Sequence, residues 1–178
     1  MNVLKITFAT AILAGTLLSV PAFAAGGGDE TPVCKAGMVY DKAKSKCVKA
    51  EEQSLNDDAL LNNATALAYT GRYEEAITVI GMMKDSQTAP ALNMLGYSTR
   101  NMGDLEAGLA FYRDALAIDP NYTLARSYMG QALIQSGNRR AAMIELDEIE
   151  RRSGTDNRAY KLLAKALLSK SLQTTITY

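Results

Sequence analysis

The chain has 178 residues, with 19 basic and 19 acidic side chains, two cysteines and no histidine. This balance argues against nucleic acid as the main partner, because that recognition rests on an excess of cations. Without histidine neither a Ser-His-Asp nor a Cys-His relay can be built. No metal-ligand spacing and no phosphate-cradling glycine motif occurs, so the sequence reads as a non-enzyme with no cofactor and no metal.

Residues 1–24 hold one early cation, Lys5, an apolar run from Ile6 to Val20, a break at Pro21 and the triplet Ala22-Phe23-Ala24. These features predict a signal peptide cleaved after Ala24, and a periplasmic or secreted product. The apolar run is shorter than the ~20 residues a spanning helix needs, so no membrane insertion is expected once the leader is removed. Removal leaves 18 basic against 19 acidic residues.

Residues 25–33 are glycine-rich and polar, and read as a flexible linker. Cys34 and Cys47 follow, in the exported part, where a disulfide persists. Residues 34–48 are expected to form a disulfide-closed hairpin, with strands at Met38–Tyr40 and Lys46–Val48 across a polar turn. Closing a loop of this size contributes about 3 kcal/mol in the chain-entropy model. A redox pair or a metal site is disfavoured, since there is no C-x-x-C and no histidine. Residues 49–55 are a charged connector.

From Asn56 the apolar residues recur at helical spacing. Helices are predicted at Asp58–Thr70, Tyr73–Lys84, Ala91–Met102, Leu105–Ile118, Thr123–Ser136 and Arg139–Arg151, with a seventh at Asn157–Lys170 and a tail at 173–178. They repeat. Gly71, Gly103 and Gly137 are 32 and 34 residues apart, and small residues flank each one: Ala64, Gly96 and Gly130 before it, Ala76, Gly108 and Ala142 after it. Ile80, Tyr112 and Leu146 form a third column, and Met83, Ala115 and Ile149 a fourth. Each turn glycine supplies a left-handed residue, the small pairs let two antiparallel helices approach, and the large residue fills the seam to the next pair. A single pair leaves its apolar sides open, so each unit requires neighbours. Ala164, 34 residues after Gly130, keeps this register, so the seventh helix should cap the stack.

The segment Leu92 to Asn121 resembles the tetratricopeptide repeat through Leu95-Gly96, Gly103, Tyr112, Ala115 and Pro120. It departs from that pattern at Leu92, where the family prefers tryptophan, and at Gly108, where it prefers alanine. The copies on either side are weaker: Arg139 stands where Tyr73 and Leu105 occur, and Gly154 where Pro120 does. The two-cysteine segment is similar to segments that precede such repeats in small exported bacterial proteins. The resemblance implies an all-α, right-handed superhelical stack over residues 56–172, about three units plus the capping helix, with a concave groove for a protein or peptide.

In that family the first helix of each unit lines the groove. The register then selects Leu61, Thr65 and Tyr69; Asn93, Tyr97, Arg100 and Asn101; Ser127, Gln131 and Gln135; and Lys161 and Lys165. No acid is among them, so the floor is expected to be neutral to positive and to favour an acidic or C-terminal segment. Self-association, through the groove or the β-prone tail, is an alternative. So is a cell-wall or glycan binder using Lys35, Lys42, Lys44, Lys46 and Lys49, although such a lysine run reads first as a solvated loop.

Overall fold

The chain reverses direction wherever a turn glycine stands. Gly71, Gly103 and Gly137 have φ of 83°, 106° and 81°, and the residue after the second and third of them caps the next helix. Asp104 accepts from the Ala107 amide and Asn138 from the Ala141 amide. A left-handed residue followed at once by an N-cap is the shortest way to join two antiparallel helices.

The computed structural model describes residues 31–35, 38–49 and 56–175, with side chains described as far as residue 169. The expected leader and residues 25–30, 50–55 and 176–178 lie outside the described residues. The helices are α1 (Asp57–Tyr69), α2 (Tyr73–Ile80), α3 (Ala89–Asn101), α4 (Leu105–Ile118), α5 (Thr123–Gln135), α6 (Arg139–Ser153) and α7 (Arg158–Thr175). They are preceded by an antiparallel hairpin of β1 (Met38–Asp41) and β2 (Lys46–Lys49). Each odd-numbered helix from α1 to α5 pairs with its successor, the pairs stack in sequence, and α7 closes on α5 and α6.

Two boundaries differ from expectation by more than two residues. Helix α2 stops at Ile80 rather than Lys84, because the Asp57 carboxylate accepts from the backbone amides of Lys84 and Asp85, both at 2.9 Å, and pulls that segment out of the helix. These amides, Asp85 first, lower the Asp57 pKa. Helix α7 continues to Thr175, so part of the segment expected as a β-prone tail is helical. Pro90 lies in the first turn of α3, and Asp119 before Pro120 is extended at φ −129°, ending α4 as anticipated.

The small-residue columns meet in the second unit. A Cβ added to Gly108 would lie 2.8 Å from the Arg100 Cβ and 3.0 Å from the Gly96 carbonyl oxygen, both held by the backbone of α3. Gly108→Ala, although it moves toward the family preference, is therefore expected to lower stability. The helix-propensity gain is about 1 kcal/mol, whereas overpacking against fixed atoms costs about 1–3 kcal/mol. Urea unfolding of the variant beside the parent checks this, and a stabilised variant would contradict the close approach.

Cys34 and Cys47 form the disulfide, with their Cα atoms 5.7 Å apart. The buried Asp41 shapes the turn by accepting from the amides of Ala43 and Lys44. The hairpin is not a separate appendage. Val39, 1% exposed, sits in one core with Leu60, Ala64, Leu67, Val79 and Ile80. The buried Asn63 of α1 completes the join: its Oδ1 accepts from the Tyr40 amide and its Nδ2 donates to the Tyr40 carbonyl, as a neighbouring strand would. Arg72 donates to the Cys34 carbonyl while its guanidinium pairs with Glu75. The hairpin thus seals the exposed apolar end of the first unit.

Candidate functional site

A tyrosine cluster joins all three units on their first helices. The Tyr97 ring of α3 lies 5.5 Å from Tyr69 of α1, 6.3 Å from Tyr73 and 5.1 Å from Tyr128 of α5. Above it the Tyr69 and Tyr128 hydroxyls meet at 2.8 Å, linking residues 59 apart. Tyr112 continues the cluster into the seam, 6.4 Å from Tyr128. Such edge and tilted ring pairs are the favoured aromatic geometries.

Arg100 is buried at the base of this cluster, 7% exposed. Its Nη1 donates to the Tyr128 carbonyl at 2.9 Å, and its guanidinium stands 5.5 Å from the Tyr97 ring centroid. Its Nε has no hydrogen-bond partner among the described residues. A carbonyl and a ring face thus take the place of a carboxylate there. Arg158 of α7 approaches the Tyr69 ring at 6.0 Å, at the rim.

The selected groove residues separate into four groups. Tyr69 (42% exposed), Asn101 and Gln135 stand toward solvent; Leu61, Thr65, Tyr97 and Gln131 are half-buried. The Thr65 hydroxyl and the Asn101 amide are spent on their own helices, donating to the Leu61 and Tyr97 carbonyls. Asn93, Arg100 and Ser127 are buried and so do not form an exposed floor: the following helices cover that side of α3 and α5. Lys161 and Lys165 are exposed and line a shallow groove on α7 together with Tyr160, Ala164 and Leu168. Tyr73, Tyr112 and Arg158 were missed by sequence reasoning. The register had placed Tyr112 in the seam column with Ile80 and Leu146, and Tyr73 in another with Leu105 and Arg139, but both lie on second helices and so fell outside the selection.

Burial raises the phenol pKa of Tyr97, Tyr112, Tyr122 and Tyr128, and the Tyr69 hydroxyl adds to the effect at Tyr128. A phenol whose folded pKa is raised stabilises the fold fully below its unfolded value of about 10, and loses that contribution as pH climbs from there through the folded pKa. Phenolate absorbance followed with circular dichroism should show Tyr97, Tyr112, Tyr122 and Tyr128 ionising together with loss of helix, and their full ionisation in a folded chain would contradict the packing.

Helix pairs stacked in register, each incomplete without its neighbour, define a helical-repeat scaffold. Residues 101–166 match the tetratricopeptide repeat family. Two crystal structures of MamA are similar in fold, both at 20% identity. One has a TM-score of 0.54 and covers 70% of this chain and 74% of its own; the other has 0.52 and covers 67% of each. No curated protein matches the chain. Residues 101–166 thus carry the tetratricopeptide repeat match, the helical stack as a whole shares the fold of those structures, and the disulfide hairpin is built onto the first unit. Such repeats form protein–protein interaction modules, and the fold is typically a non-enzymatic scaffold.

Proposed function

We propose that the protein is an exported adaptor or assembly factor that holds a segment of a partner against the inner face of its first helices. What carries this reading is the tyrosine cluster of α1, α3 and α5, open to solvent at Tyr69 and flanked by Gln131 and Gln135. Tyrosine gives contact area at small entropy cost, and glutamine amides bond a peptide backbone as donor and acceptor. Arg100 and Arg158 lend positive charge to the cluster, which supports a preference for an acidic or C-terminal segment. Export rests on residues 1–24 and on the disulfide, both suited to an oxidising compartment.

The test is affinity capture from an envelope extract with the parent and a Tyr69→Ala, Gln131→Ala, Gln135→Ala variant. Loss of one or a few specific partners is expected; identical partner sets would defeat the groove. N-terminal sequencing of the exported chain should begin at Ala25. A second reading, polymer binding at the hairpin, draws support from the exposure of Lys35, Lys42, Lys44, Lys46 and Lys49.

A further inference from the structure

The middle of the inner face is filled by the protein's own rings. Helices α1 and α5 both pack on α3, and a tyrosine from each closes on the one between them. The Tyr69 ring stands edge-on to Tyr97 at 5.5 Å and 83°, Tyr128 lies 5.1 Å from Tyr97, and the Tyr69 and Tyr128 hydroxyls meet at 2.8 Å. Tyr97 is half-buried as a result, and Tyr128 is 4% exposed. Tyr69, 42% exposed, is the ring that a segment laid along the first helices meets first.

The three rings are not held equally. Tyr97 packs against the apolar cores of two units, and Tyr128 sits among Leu109, Tyr112, Met129 and Ala132. Arg100 ties down the Tyr128 carbonyl as well. Tyr69 is the last residue of α1, followed by the Thr70 cap and the left-handed Gly71. A side chain at a helix end changes rotamer without loss of the helix. What holds this one is the edge contact with Tyr97, the Arg158 guanidinium 6.0 Å from its ring centroid and one neutral hydrogen bond, all of them weak and reversible.

The hydrogen-bond inventory sets the resting state. Turning Tyr69 aside in the empty protein gives up the ring contacts, opens the edge of Tyr97 to water and takes the Tyr128 hydroxyl from its partner. A segment that lays an apolar side chain on Tyr97 and a polar group on the Tyr128 hydroxyl restores both. The face therefore rests closed and opens with its occupant.

We propose that Tyr69 is an internal latch: in the free protein it occupies the inner face over Tyr97 and Tyr128, and a partner segment enters by displacing it and giving the Tyr128 hydroxyl a new partner. This rests on the inner face being the partner site, and adds how entry to it is regulated. Once displaced, the Tyr69 ring still offers contact area. Alanine at this position removes latch and contact together, whereas phenylalanine removes the latch bond alone.

The probe of phenol accessibility is tetranitromethane, applied to the exported chain, with mass spectrometry placing each nitro group. Tyr69→Phe and Tyr128→Phe delete the same hydrogen bond. Each should speed nitration of Tyr97 roughly fivefold, the equilibrium change set by one neutral hydrogen bond, and the double variant should add nothing further. Tyr40 and Tyr160, outside the cluster, should keep the parent's rates, and circular dichroism verifies that each variant folds. An unchanged Tyr97 rate in both single variants, or additive acceleration in the double variant, overturns the latch. Acceleration at Tyr40 and Tyr160 as well overturns it too, because it reports general loosening. In capture from an envelope extract at limiting bait, the single variants should retain about fivefold more of each partner that the parent retains, and equal retention defeats the regulation. Capture that does not depend on Gln131 and Gln135 defeats the inner-face reading itself, and the nitration rates tell the two failures apart.

Discussion

Tyr112→Ala is expected to destabilise the protein by about 3–5 kcal/mol, a large share of the 5–15 kcal/mol that holds a domain together. Its ring is fully buried in the seam between the second and third units, among Leu109, Tyr128, Met129 and Ala132, and covers Gly96 so closely that a Cβ there would lie 2.8 Å from it. A defect at a seam acts on the coupling of units as well as on local packing. The urea transition of the variant should therefore broaden or split, with a smaller apparent m-value. Tyr112→Phe should act in the opposite direction. The buried hydroxyl has no hydrogen-bond partner among the described residues, so its removal relieves an unsatisfied polar group and should be neutral or stabilising by about 1 kcal/mol. A Phe variant as damaged as the Ala variant would show that the hydroxyl, rather than the ring, matters.

Replacing Cys34 and Cys47 together by alanine should remove about 3 kcal/mol in the chain-entropy model, and the loss should reach the helices. Val39, which the hairpin holds against Leu60, Ala64, Leu67, Val79 and Ile80, is the reason. Val39→Ala alone should cost about 2 kcal/mol for the same core. Hydrogen exchange distinguishes a cap from an ornament. In the cysteine-free chain the amides of α1 and α2 should lose protection first, while those of α5 and α6 keep theirs. A hairpin that frays with no change in α1 would refute the capping role.

Much of the stack was legible because its turns demand a special backbone. A left-handed residue is cheapest as glycine, so Gly71, Gly103 and Gly137 mark the reversals, and the small and large columns around them fix which helices pair. What escaped was settled by distant residues. The end of α2 is set by Asp57, 27 residues before Lys84. The docking of the hairpin rests on Asn63, a polar residue buried in a helix, and no local pattern announces that it will pair with Tyr40.

The candidate site was less legible for a geometric reason. The spacing placed residues on first helices correctly but did not fix how far each helix is rotated about its axis. Asn93 and Ser127 fell on the covered side, and Arg100 was drawn beneath Tyr97 by a carbonyl and a ring. Lys161 and Lys165 occupy corresponding positions on α7 and are exposed.

Solenoids ordinarily flex like a stack of coins, since each hairpin touches only the next. Here two phenols form a clasp that skips over α3 and fastens the first coin to the third. Straightening the stack would unhook that neutral bond, worth about 1 kcal/mol, and draw Arg158 away from the Tyr69 ring. The curvature is therefore held by something a visiting polar group can replace one for one, and an occupant that takes over either hydroxyl could spread the arc without breaking any seam between units.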